Sequence, residues 1–300
     1  MKTNDIIYMY KVKRIIVCFV CMLFLLPSAK AVEPVAYTRE DSITIVRMLT
    51  SLADRQNVAC LPLHFARQFL GRPYVASTLE LYPDCEQLVV NTRQLDCTTL
   101  VENVTALTLC ARRQLTTFAD YLNVLRQLRY RKGILNGYPS RLHYFSDWIE
   151  DNAQSGYVTE ISRSSAPFSG VQKIQLNYMS LHPQSYIALK RHPEFIKEIA
   201  QQEQTLSGRS YHYIPKNQVQ NTKALRRIIH DGDILAITCN KSGLDIAHLG
   251  FAVWQKDGLH LLNASQIHKK VVLEPMTLYN YLTKHPSHTG IRVVRIEELK

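Results

Sequence analysis

Apart from Cys18 and Cys21 in an N-terminal apolar run, the 300-residue chain has no CxxC, and it has no HExxH motif, so its remaining cysteine and histidine spacing offers no zinc site, and no metal or cofactor is expected. Nothing in it has the signature of a zinc finger, a helix-turn-helix or an RNA-binding module. Nucleic acid is therefore not an expected partner, despite a net charge of +11. Internal repeats and low-complexity linkers are absent as well. The length left by this reading suits one large domain or two small ones. After residue 26 no long apolar run recurs, so no membrane span is expected beyond the N-terminus.

The N-terminus itself is informative. Lys2, Lys11, Lys13 and Arg14 precede an apolar stretch over residues 15–26, and "PSAKA" follows with Ala29-x-Ala31. A basic region, a short apolar core and a small-residue site read as a secretory signal over 1–31, with an uncleaved anchor as the alternative. No cysteine sits at the cleavage site, so a lipoprotein is not expected. The mature chain, 32–300, is expected to be a single catalytic domain, exported to the periplasm of a Gram-negative bacterium, and to act as a monomer. The leader takes five of the 36 basic and one of the 25 acidic residues with it, leaving a net charge of +7. Such a surface favours anionic neighbours such as cell wall or lipid headgroups.

Of seven cysteines, five remain after residue 31: Cys60, Cys85, Cys97, Cys110 and Cys239. An odd number leaves at least one unpaired, and the other four can form two bridges in three ways, or none. Cys97 stands out in "RQLDCTTLVENVTAL" because an apolar helical period begins there, with Asp96 as the N-cap. The first turn of a helix presents outward N–H groups and a positive dipole end, which favour a thiolate. Cys110, thirteen residues later, reads as packing.

Three- and four-residue apolar spacing predicts helices within 38–70, over 97–112 and 116–132, and over 191–206. From 231 the pattern changes to short Val-, Ile- and Leu-rich runs separated by Asp231-Gly232, Ser242-Gly243 and Asp257-Gly258, which read as strands. The expected fold class is α+β: a helical part over about 38–132, an irregular aromatic region over about 133–230 that covers a cleft, and an antiparallel sheet over about 231–300. A thiol nucleophile needs a base and a group to orient that base. Among eleven histidines, His248 opens a strand, and the next strand carries Asn263 as a polar partner.

In chain order, "GRPYV", "LDCTTLVE", "HLGFAVW" and "LLNAS" resemble the NlpC-type papain-like cysteine peptidases of bacterial cell walls. "YPSRLHYFSDWI", "GDILAI" and "GLDIAHLGFAV" are similar to the exported, N-acetylmuramoyl-L-alanine amidase-like branch, over about residues 40–297. The resemblance implies a papain-like fold with helices packed on a sheet or half-barrel. It implies Cys97 as nucleophile, His248 as base and Asn263 as the orienting residue, where many relatives have histidine. It implies Tyr74 beside the catalytic pair, shaping the site or steadying the oxyanion. Thr98 stands where endopeptidase relatives have a serine that helps recognise a free amine. The substrate implied is peptidoglycan or a muropeptide.

Asp96 opposes a thiolate at Cys97, and the expectation is that the helix and His248 outweigh it. Arg141 and His143 are candidates for contacting substrate carboxylates, with a surface salt bridge as the alternative. Glu102, Asp147 and Trp148 are expected to brace the cleft, and the other histidines to be solvated. Three functions compete: the muramoyl–alanine amidase, a γ-D-glutamyl–diamino acid endopeptidase, and a silent wall-binding module. A two-residue turn at Asp257-Gly258 would set Asn263 opposite Ala252, out of reach of His248. The triad therefore requires a longer loop or bulge around Trp254 to Gly258 that brings Asn263 opposite His248, and a tight turn there would remove Asn263 from the mechanism.

Overall fold

Three helices start with a reciprocal cap, in which a side chain at the N-cap and one three residues on satisfy each other's backbone N–H. Thr38 and Asp41 open α1 (Arg39–Thr50), Asp96 and Thr99 open α3 (Cys97–Arg112), and Thr117 and Asp120 open α4 (Phe118–Arg129). Between the first two lies α2 (Leu61–Gln68), with Pro62 in its first turn, where a missing N–H costs nothing. The computed structural model describes residues 34–52 and 58–297. The expected leader, 1–31, lies outside the described residues.

α3 is buried at every position from Thr99 to Cys110, so it is a central helix rather than an amphipathic surface one. Its polar side chains are matched internally. Glu102 meets Arg129 of α4 at 2.7 Å with both groups almost fully buried, and Arg129 also donates to the Val89 carbonyl at 2.6 Å. Asn103 donates to the Thr99 carbonyl and accepts from the Tyr121 hydroxyl.

Beyond a two-residue parallel pair, β1 (Val35–Ala36) with β2 (Leu88–Val89), the strands form one eight-stranded sheet. Its strands are β3 (Val158–Ile161), β4 (Gly170–Lys173), β5 (Ser210–Pro215), β6 (Ile234–Cys239), β7 (Ile246–Trp254), β8 (Leu259–Ser265), β9 (Lys270–Leu273) and β10 (His288–Ile296). The order is β4-β5-β10-β6-β7-β8-β9, with β3 also on β10, and every pairing is antiparallel. Alternate residues serve two cores. Ile234, Ala236, Leu249, Phe251, Leu262 and Ala264 pack with α3. Leu235, Ile237, Ala252, Leu259 and Leu261 pack with Leu225, Leu278 and Leu282 on the other face. Burial on both faces is why these strands read as nearly continuous apolar runs.

The α+β class and antiparallel sheet agree with the sequence reading, but the division at residue 231 does not. Three of the eight strands, β3, β4 and β5, come from the segment read as irregular. They are short, and only Val158 and Ile214 among their residues are buried, so their apolar signal is weak. The same segment also contains α5 (Phe145–Gln154), which lies outside the expected helices, and α6 (Glu194–Leu206), which matches the helix expected over 191–206. It has its own small core, including Tyr138, Tyr144, Met179, Leu189 and Ile199. Residues from Pro34 onward cluster as one compact unit.

Candidate active site

Cys97 is the first residue of α3. Thr99 N–H donates to Asp96 Oδ1 at 2.8 Å, and Asp96 N–H returns the bond to Thr99 Oγ1 at 2.9 Å. The backbone N–H groups of Leu249 and Thr98 reach the Cys97 sulfur. That contact ties the helix start to the residue next to His248. Cys60, Cys85, Cys97, Cys110 and Cys239 are all free thiols, and Cys110 is fully buried packing.

His248 lies just past a bulge. β6 pairs Ile237 with His248 but Thr238 with Ile246, so β7 carries one extra residue there. Bulges re-aim side chains and gather next to functional sites. On its other side, Trp254 pairs with Leu259, and Gln255 N–H donates to the Gly258 carbonyl. The reversal is therefore a tight turn centred on Lys256 and Asp257, not the expected longer loop or bulge, and it brings Asn263 within reach because it lies one residue earlier than Asp257-Gly258. This register puts Asn263 level with Gly250, neither opposite Ala252 nor directly opposite His248. His248 and Asn263 are diagonal neighbours on one face, and His248 Nε2 lies 3.0 Å from Asn263 Oδ1. Gly250 permits this close approach, since a Cβ there would sit 2.7 Å from the Leu262 carbonyl oxygen. Asn263 Nδ2 faces the Leu261 carbonyl, an acceptor, so Oδ1 accepts from His248. The His248 proton is then on Nε2, and Nδ1 is the nitrogen open to another proton.

Cys97, Thr98, His143 and His248 line a cleft of about 250 Å³ together with Met179, Tyr186 and Asp245. An adjoining cavity of about 310 Å³ shares Thr98, His143 and Tyr186 and adds Glu80, Asp96 and Arg141. A larger cavity of about 610 Å³, between α5 and α6, is lined by neither cysteine nor histidine. Tyr74 is held beside the start of α3: Val75 N–H donates to Leu95 O, Leu95 N–H to Pro73 O, and Tyr74 N–H to Lys269 O. Burial, then the nearby Cys97 and Asp96, push the Tyr74 phenol above its ordinary pKa, so it remains a hydroxyl donor.

The electrostatics differ from the expected thiolate. Burial, followed by the Asp96 carboxylate, pushes the Cys97 thiol up to about 12, against the opposing pull of the Leu249 N–H and the Thr98 hydroxyl and N–H. Burial also lowers the His248 imidazole below its ordinary value. Cys97 keeps partial exposure, which softens the penalty. Both displacements favour the uncharged forms, thiol and imidazole. Desolvation outweighs the helix end because the groups that would stabilise a charge are few and dipolar.

Arg141 and His143 are not open cations. Arg141 donates to Glu80 Oε1 at 2.5 Å and lies over the Tyr138 ring. His143 gives its Nε2 proton to the Tyr138 carbonyl at 2.9 Å. Burial and then Arg141 press its pKa down to about 3, so it presents a neutral acceptor, Nδ1. Asp147 binds Arg131, Glu102 binds Arg129 and Trp148 is in the core, so these three brace the structure. Not every remaining histidine is solvated: His260 is buried between the Glu274 carbonyl and Asp257, and His288 is buried near His285. Sequence reasoning missed Met179 and Asp245 as cleft residues. They come from the segment and the loop where no periodicity marks an element. Among the described residues no group of three or more His, Cys, Asp or Glu is set to hold a metal ion.

The fold and site can now be compared with known proteins. A family model described as N-acetylmuramoyl-L-alanine amidase-like matches residues 64–291. A crystal structure of an N-acetylmuramoyl-L-alanine amidase from Bacteroides uniformis is 39% identical, covers 79% of this chain and 98% of its own, and superposes with a TM-score of 0.73. A Bacteroides fragilis structure described as a putative xylanase is 40% identical, with coverages of 78% and 100% and a TM-score of 0.72. A Legionella pneumophila protein at 22% identity and a TM-score of 0.64, covering 86% of this chain and 94% of its own, shares the fold. No curated protein matches the chain. On the span of the family model and the identity to the B. uniformis structure, the chain belongs to the N-acetylmuramoyl-L-alanine amidase-like family.

Proposed function

We propose that the protein is an exported peptidoglycan hydrolase of the NlpC-type papain-like group, which uses Cys97 to cleave the amide between the lactyl group of N-acetylmuramic acid and L-alanine. The observation that carries the reading is the 3.0 Å His248–Asn263 bond beside a free thiol at a helix start, in one cleft. A base with a fixed tautomer next to a thiol is the minimum for nucleophilic amide cleavage.

The chemistry follows from a resting pair in its favoured, uncharged forms. As the Cys97 sulfur attacks the amide carbonyl, His248 Nδ1 takes the thiol proton, so charge develops only along the reaction. Backbone N–H groups at the start of α3 and the Tyr74 hydroxyl receive the oxyanion; one such donor is worth about 3 kcal/mol. The imidazolium then returns its proton to the L-alanine nitrogen as the C–N bond breaks, leaving a lactyl thioester on Cys97. His248 next takes a proton from water, which attacks the thioester and releases the lactyl carboxylate and the thiol. His143, a neutral acceptor, suits an N–H of the substrate rather than a carboxylate, and Thr98 shapes the subsite beside it.

The xylanase description of the B. fragilis structure is a weaker guide to this chain. Glycoside hydrolysis uses two carboxyl groups flanking the bond. The carboxylates near Cys97, Asp96 and Asp245, are each engaged by a backbone N–H, from Thr99 and Ser146.

The deciding experiment is digestion of purified peptidoglycan by wild type and Cys97→Ala. The amidase reading expects intact stem peptides with free L-alanine amines from wild type, and turnover reduced at least about 1,000-fold in the variant. Truncated stems would point to the endopeptidase. Undiminished cleavage by Cys97→Ala would exclude the thiol mechanism.

A further inference from the structure

Behind Asn263 lies a carboxylate that the reaction above does not use. Glu274 follows β9 and is 2% exposed. Its Oε1 is 3.3 Å from Asn263 Nδ2, and its Oε2 is 3.2 Å from His268 Nε2. Its backbone is also pinned, with the N–H on the Leu261 carbonyl and the carbonyl on His260 Nδ1. Four side chains thus run in series from the half-exposed His268 through Glu274 and Asn263 to His248.

We propose that Glu274, held by His268, is a positioning residue that locks the Asn263 amide in one orientation and so fixes which nitrogen of His248 carries the proton. This rests on the catalytic reading of His248. A carboxamide can turn over by 180° and exchange its oxygen for its NH₂. Turned over, Asn263 would offer a donor to His248 Nε2 and draw the ring into the tautomer with the proton on Nδ1, the nitrogen that must receive the thiol proton. The Leu261 carbonyl accepts Nδ2 at 3.3 Å, and Glu274 Oε1, at the same distance, adds a second acceptor that carries charge. An ionised carboxylate has no hydrogen to give, so Glu274 accepts Nδ2 and rejects Oδ1. Its charge also favours the imidazolium that forms as the thiol reacts. Groups behind an orienting residue commonly matter nearly as much as the residue itself.

The test combines ring-nitrogen NMR of His248 with steady-state kinetics on a muropeptide. Wild type is expected to show the Nε2–H tautomer. Glu274→Ala, or the space-filling Glu274→Met should the first not fold, is expected to show a mixture of tautomers. Its kcat should fall about 10- to 100-fold with KM within about twofold. Glu274→Gln, whose own NH₂ can turn toward Asn263, should restore the tautomer and kcat only in part. His268→Ala should cost less than Glu274→Ala. An unchanged tautomer in the Ala and Met variants would overturn the proposal. The NMR reading does not pass through substrate, so it decides Glu274 even if Cys97→Ala sinks the amidase reading.

Discussion

At the scale of the residue, His248 is the most informative side chain. As the base of the proposed mechanism it must be neutral. Burial, first among its influences, penalises the imidazolium; Asn263 and Glu274 pull the pKa back up, and His285 pushes it down again. The net displacement is below the ordinary 6.5. Activity limited by this base therefore persists at pH 6.5 and is lost only as pH falls further. A profile of kcat/KM against pH checks this: the acid limb should lie below 6.5, and a midpoint above it would contradict a desolvated neutral base.

Among the elements, α3 matters most because it does two jobs. Its first turn presents Cys97, while its buried body requires the Glu102–Arg129 pair. Removing one partner of such a pair leaves the other charge buried alone. Arg129→Met is expected to cost about 3–5 kcal/mol, read from the urea midpoint, and replacing Glu102 by Leu as well should recover part of the loss. The β7–β8 hairpin is the second decisive element. A turn displaced by one residue decides whether Asn263 stands level with Ala252 or with Gly250, and only the latter leaves it in reach of His248.

On the scale of the whole molecule, the segment between Cys97 and His248 is a packed wall rather than a loose cover. Its core includes Met179, which also lines the cleft, and fully buried Leu189. Leu189→Ala should cost about 2–5 kcal/mol by thermal unfolding. It should also raise KM more than it lowers kcat, because the wall is displaced while Cys97, His248 and Asn263 stand on other elements. Equal loss in both constants would place this core closer to the chemistry than the contacts do.

Local patterns in the chain determined its helices, the main strands, the cap that makes Cys97 a first-turn residue, and the candidate set of Cys97, His248 and Asn263. These depend on neighbours within a few positions, where periodicity and capping speak directly. Tertiary structure alone decided the rest. β3, β4 and β5 exist because β10 and its neighbours offer edges to short, half-exposed segments. The displacement of Cys97 and His248 toward their uncharged forms arises first from burial by the assembled fold. Glu274 reaches Asn263 only because β8 and β9 pair in one particular register, and register and desolvation are properties of the assembled fold.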